Sequence, residues 1–159
     1  KTNYCPETMV LRRKRDQNGV SQRVDKNMIT AKLYKKIVKL MPIVCADVIL
    51  KHKDKYILIK RNSEPLKGLW WIVGGREFKN EKITNTAKRK VREEAGLKVS
   101  DLKIAGIYED FYKKSVWGVP THSVSVVFEG KVKEFKASKE MALFDELPKR
   151  FVKHFICLK

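Results

Sequence analysis

Ile29, Leu33, Ile37 and Leu40 recur at helical spacing, while Lys32, Lys35, Lys36 and Lys39 fall on the other faces. This pattern predicts a short amphipathic helix, which Pro42 stops because it lacks a backbone donor. The period then changes. Residues 43–50 and 56–60 are β-rich runs flanking the charged stretch 51–55, which reads as a hairpin. Residues 70–73, 102–108 and 122–128 are further strand candidates. In the last of these Val124 and Val126 alternate with Ser123 and Ser125, as a strand with one apolar face requires. Residues 131–135 are expected to pair beside it. Over residues 82–95 the period returns to helical: Ile83, Ala87, Val91 and Ala95 form one apolar stripe, and Gly96 stands where a C-terminal cap glycine belongs. A final helix is predicted over 145–158, with Leu147, Phe151, His154, Phe155 and Leu158 on one face and Pro148 in its first turn. The element order predicts a mixed α/β fold.

Residues 1–27 do not share this patterning. They carry few large apolar residues, an Asn18-Gly19 turn signal and the basic run Arg12-Arg13-Lys14-Arg15, so a flexible basic extension over 1–27 and one domain over 28–159 are expected. The 159-residue length and 43% hydrophobic content suit one compact core. With 36 Lys and Arg against 18 Asp and Glu the formal charge is +18, which attracts anionic partners, phosphates first, at long range. The same Lys bias arises from source composition alone, so a nucleic-acid partner is neither required nor excluded.

Three cysteines, Cys5, Cys45 and Cys157, form no C-x-x-C pair and leave an odd count, which argues against a zinc site or a closed disulfide framework. Residues 43–50, interrupted by Asp47, fall far short of the ~20 apolar residues a membrane span needs. Residues 1–27 lack the apolar core of a signal peptide. A reducing cytoplasm and no membrane partner are therefore expected.

The chemistry concentrates after Gly74-Gly75-Arg76. Glu81 lies just before the predicted helix, and Glu93 and Glu94 lie in its last turns beside Arg89 and Lys90. Glu81, Glu93 and Glu94, with the Gly74 carbonyl, are candidate ligands for a hard cation. Mg2+ suits such oxygen donors and keeps positions for substrate phosphates, and Mn2+ is the alternative. The same spacing also allows plain helix-surface ion pairs, Arg89 with Glu93 and Lys90 with Glu94, stabilising by only ~0.2–0.5 kcal/mol each.

Gly75, Glu81, Arg89, Val91, Glu93, Glu94, Gly96 and Leu97 together resemble the Nudix signature, with one departure: Lys90 stands where that signature has Glu. The resemblance implies the Nudix fold, a mixed β-sheet sandwiched between helices with a loop–helix–loop. Beyond the signature the chain is similar to the GDP-mannose mannosyl hydrolase branch, through Pro42, Asp47, Lys60-Arg61, Pro65, Gly68, Trp70, Phe111-Tyr112, Gly118 and Thr121-His122 among others. That branch dispenses with the Glu that Lys90 replaces. It implies an Mg2+-dependent hydrolase of a nucleoside-diphosphate sugar, with attack at the anomeric carbon, and a homodimer.

Carried over by position, the resemblance gives Glu94 and the Gly74 carbonyl to the metal, Arg61 and Arg89 to the diphosphate, and Asp47, with Arg61 and Arg76, to substrate binding. It places the general base on a His in the loop before the last helix, but residues 134–140 contain no His. Asp110 and His122 are the substitutes, since a base must only reach the water and hold a suitable pKa. Two rival functions remain at this level: a Nudix pyrophosphohydrolase cleaving a phosphoanhydride, and a non-catalytic nucleotide- or RNA-binding module favoured by the charge and by Lys90.

Overall fold

The computed structural model describes residues 30–113 and 115–157. The expected extension over 1–27, and Ile29 and Leu158 of the predicted helices, lie outside the described residues.

The first helix, α1 (Ala31–Leu40), is capped by the Thr30 hydroxyl, which accepts from the Leu33 amide at 3.3 Å. It buries Tyr34 and Val38 against Val119. The strands are β1 (Ile43–His52), β2 (Lys55–Lys60), β3 (Trp70–Trp71), β4 (Val73–Arg76), β5 (Ser100–Tyr112), β6 (Thr121–Lys131), β7 (Met141–Phe144) and β8 (Phe155–Cys157); α2 (Ile83–Lys90) and α3 (Lys149–His154) complete the described elements. They join one mixed sheet in the order β3-β2-β1-β6-β5-β8, with β4 also on β1 and β7 on β2.

The axis of the sheet is β1. One of its edges runs parallel to β6 from Ile43 to Lys51. Its other edge is shared, with Cys45–Val48 antiparallel to β4 and Leu50–His52 antiparallel to β2. This division splits the single strand expected over 70–73 in two: β3 pairs with β2, and after Ile72 the chain pairs with β1 as β4. The glycine loop is thereby held against Asp47.

Period-two alternation sends neighbouring residues to opposite cores. Val48, Ile57 and Phe128 pack with Ala87 and Val91 of the helix that follows the glycine loop, whereas Ile49, Leu58 and Val127 pack with Trp71, Tyr108 and Phe151. The sheet thus lies between α2 and α3, the layered mixed α/β arrangement the sequence predicts.

Three boundaries differ from expectation. The helix of 145–158 is reduced to α3, because from Phe155 the chain turns extended and pairs with β5 across Gly106–Tyr108. The approach is close enough that a Cβ at Gly106 would overlap the Ile156 carbonyl oxygen, so this register excludes any larger residue. No strand covers 132–135: the Val132 amide donates to the Lys51 carbonyl at 2.8 Å, and the free edge of β2 is taken by β7, which the apolar pattern did not reveal. The strand expected over 102–108 continues to Tyr112 and draws Asp110 into the sheet.

Phe151 is fully buried, with its ring 4.9 Å from Tyr108, 5.1 Å from Phe155 and 6.1 Å from Trp71. It is the main apolar anchor of α3. Phe151→Ala is expected to lower unfolding free energy by about 3–5 kcal/mol in urea titration, the cost of a large aromatic cavity; a loss under about 1 kcal/mol would mean that α3 docks by other contacts.

Candidate active site

The predicted helix of 82–95 is α-helical only to Lys90; Val91–Ala95 forms a π-helical turn, closed by Gly96 in the left-handed conformation at φ 68°. Such wide turns recur at functional sites. Here the turn carries Glu93 and Glu94.

Glu81, just before α2, is locked by Arg89. Nε and Nη2 of Arg89 donate to the two Glu81 oxygens at 2.8 and 2.7 Å, and the Thr86 hydroxyl and Phe78 amide add bonds at 2.8 and 3.3 Å. The Arg89 guanidinium holds the Glu81 carboxyl down to about 2, against the opposing effect of burial. Arg89 also donates to the Arg76 carbonyl at 3.1 Å and to Glu93 at 3.3 Å, and it lies 4.1 Å over the Phe78 ring. It therefore braces the loop to the helix, with its donors engaged by Glu81, Glu93 and the Arg76 carbonyl.

Lys90 is 2% exposed, and its ammonium lies 2.6 Å from Glu94 Oε1 and 3.5 Å from Glu93 Oε2. The other Glu94 oxygen faces the Gly74 amide at 3.4 Å. Both ion pairs foreseen as the plain alternative are thus formed. The candidate metal ligands Gly74, Glu81, Glu93 and Glu94 gather around this turn, but Arg89 takes both oxygens of Glu81, and Lys90 takes one oxygen of Glu94 and approaches one of Glu93. Among the described residues no group of three His, Cys, Asp or Glu side chains is arranged to hold a metal. In this arrangement the set does not fit an Mg2+ ion, because an ammonium already stands among its donors.

Asp47 connects the two faces of the site. It pairs with Gly74 across β1 and β4, and a Cβ at Gly74 would overlap its carboxylate, so glycine is required there. Burial pushes Asp47 up to about 6; a hydrogen bond with Ser125 opposes this, the charge of Glu94 adds to it, and Arg61 and Lys90 lower it. A carboxyl so displaced within a charged cluster is a candidate functional group. The resemblance gave Asp47 to substrate binding and not to proton transfer; the polar residue interrupting the apolar run 43–50 was the available signal.

Arg61, at the end of β2, donates from Nε to the Pro65 carbonyl at 2.7 Å, and its charge is felt at both Asp47 and Tyr112. The Arg76 guanidinium stacks 4.2 Å over the Tyr34 ring, on the α1 side of the cluster. Asp110 is 3% exposed and takes the Tyr108 hydroxyl at 2.6 Å, the Phe111 amide at 2.9 Å and Arg150 at 3.1 Å. Burial alone would raise its pKa, but hydrogen bonds from Tyr108, Tyr112 and Arg150 prevail and hold it below the ordinary carboxylate value. Those partners fit a structural anion. His122 pairs with Phe111 in the register next to Asp110–Ser123, so alternation sends it to the opposite face of the sheet. It stacks on Phe111 at 4.3 Å and bonds Glu109 at 2.7 Å, and the structure does not bring it to the Asp47 cluster.

The displaced Glu81 gives a pH prediction. Its folded pKa of about 2 lies below the reference 4.5, so between those values the unfolded chain binds the proton more readily and stability falls as pH falls. From about pH 5 to about pH 3 the wild type should lose roughly 1–2 kcal/mol more than Arg89→Met in urea unfolding, after allowance for solvent screening. Equal losses in the two proteins would show that Arg89 does not hold Glu81.

A family model described as the NUDIX domain matches residues 41–152. The chain is 30% identical over 145 residues to the ADP-ribose pyrophosphatase of Methanocaldococcus jannaschii, covering 86% of this chain and 83% of that protein. It is 36% identical over 95 residues to the low-salt glycan biosynthesis protein Agl8 of Haloferax volcanii, covering 58% of this chain and 61% of that protein, so it spans under two thirds of that relative's length. Among solved structures, the MutT NUDIX hydrolase from Burkholderia pseudomallei superposes with a TM-score of 0.57 at 18% identity, covering 72% of this chain and 95% of that one, a likeness of fold. Sequence, fold and relatives agree that this chain belongs to the Nudix hydrolase family, whose members generally use divalent metal ions such as Mg2+.

Proposed function

We propose that this chain hydrolyses a nucleoside-diphosphate sugar by attack of water at the anomeric carbon, releasing the nucleoside diphosphate and the free sugar, with a GDP-mannose-type substrate favoured. The observation that carries this reading is Lys90, buried and ion-paired to Glu94 where the Nudix signature has a carboxylate. Removing that carboxylate weakens a route through phosphorus. Attack at carbon depends instead on neutralising the departing diphosphate, because the transition state resembles an oxocarbenium ion. The glycan-biosynthesis role in the name of the Haloferax volcanii relative supports a sugar substrate.

The assignment of Mg2+, or Mn2+, to Gly74, Glu81, Glu93 and Glu94 remains the reading of the resemblance; since these donors do not fit the ion as placed, no step here passes through it. In the proposed reaction Arg61 meets the diphosphate. Asp47, which pairs with Gly74 and feels the charge of Arg61, takes the proton of the attacking water as its oxygen bonds to C1 and the C1–O bond to diphosphate breaks. Arg89 acts through Glu81 as a positioning residue. Asp110 and His122, proposed earlier as bases, are replaced in that role by Asp47.

A second reading, phosphoanhydride cleavage, is favoured by the ADP-ribose pyrophosphatase relative, which aligns along most of both chains. Products separate the two. With GDP-mannose and a divalent salt, free hexose and nucleoside diphosphate are expected, and Asp47→Asn should lower kcat by about 100-fold with little change in KM. Sugar phosphate with nucleoside monophosphate would establish the second reading, and an unchanged kcat in the variant would remove Asp47 from proton transfer.

A further inference from the structure

Lys90 is not a surface lysine decorating a helix. Its side chain runs beneath the glycine loop: a Cβ at Gly75 would come within 2.6 Å of Lys90 Cε and 3.3 Å of Nζ. The loop and the lysine are thus fitted to one another. At its far end the ammonium meets Glu94 at 2.6 Å and Glu93 at 3.5 Å, and the Glu94 side chain is itself only 13% exposed. An ammonium buried to this degree persists only when carboxylates neutralise it. Conversely, Glu93 and Glu94 converge on one turn without a third acidic, Cys or His donor placed to complete a metal site among the described residues.

We propose that the Lys90 ammonium is the resident cation of this carboxylate cluster, holding Glu94 against the Gly74-Gly75 loop in place of a divalent ion bound by the protein. Lys90 is a positioning residue: it orders Glu94, and through the Gly74 amide the loop that abuts Asp47. A dication at Glu93 and Glu94 would lie close to a fixed positive charge in a poorly solvated place, so the two cations are mutually exclusive. This inference stands whether the hydrolysed bond is at carbon or at phosphorus.

The test is Mn2+ binding followed by electron paramagnetic resonance, without substrate. The wild type is expected to bind Mn2+ only weakly, with no change in Glu94→Gln. Lys90→Gln should leave both carboxylates available and tighten Mn2+ by at least about 10-fold, whereas Lys90→Arg, which keeps the charge, should bind as weakly as wild type. Tight wild-type binding lost in Glu94→Gln, or an unchanged affinity in folded Lys90→Gln, would overturn the proposal. Should Lys90→Gln not fold, the wild-type melting temperature decides: no rise with millimolar Mn2+ supports an occupied cluster, and a rise of several degrees reversed by Glu94→Gln overturns it.

Discussion

A charged lysine with 2% exposure is tolerable only because Glu94 stands 2.6 Å away, and the rest of the site is arranged around that pair. Breaking a buried pair by removing one partner costs about 3–5 kcal/mol, since the other charge is left uncompensated. The pair therefore fixes the π-helical turn that carries Glu94 to the end of α2 and to the Gly74 amide. Beside it, Arg89 holds Glu81 and the Arg76 carbonyl, so loop and helix are joined by two cation-centred clusters that share Glu93. Glycine at 75 is the steric condition for the lysine cluster, since it leaves room for the lysine stem, and glycine at 74 leaves room for the Asp47 carboxylate.

The sheet then decides which polar groups meet. Because β1 pairs with β4 along Cys45–Val48, Asp47 is delivered to the glycine loop, and its neighbour Ser125 comes from the parallel partner β6. Alternation along β5 and β6 separates groups that are adjacent in register: Asp110 lies buried among Tyr108, Tyr112 and Arg150, while His122 lies on the other face against Phe111. A strand carries neighbouring side chains to different chemical surroundings, so nearness in sequence to a matching family position is a weak guide to a base. On the proposed reading the base is the Asp47 carboxyl, displaced upward in pKa within the cluster.

Much of this was legible in the sequence because it rests on local rules. The apolar stripe Ile83, Ala87, Val91, Ala95 fixed the helix after the loop, and Gly96 closes it in the left-handed conformation expected of it. The paired β-runs around 51–55 form the β1–β2 hairpin. Elements that depend on tertiary pairing were hidden: β7 exists because β2 has an open edge, and Phe155–Cys157 leaves the helical pattern because β5 does. The site divided in the same way. Glu81, Arg89, Glu93 and Glu94 gather as their spacing suggests, and the Arg89–Glu93 and Lys90–Glu94 pairs form at the spacing that allowed them, yet spacing did not show that Arg89 takes both oxygens of Glu81 or that Lys90 is buried under Gly75.

The chain is thus a Nudix domain in which a lysine has entered the carboxylate cluster. On the proposed reading, the signature carboxylate lost at Lys90 leaves Arg61 to meet the departing diphosphate and turns the attack to carbon. Hydrolysis of GDP-mannose in 18O-labelled water, with mass analysis of the products, addresses that claim most directly. The account predicts label in the free hexose and none in the nucleoside diphosphate; label in phosphate would place the attack at phosphorus and contradict it.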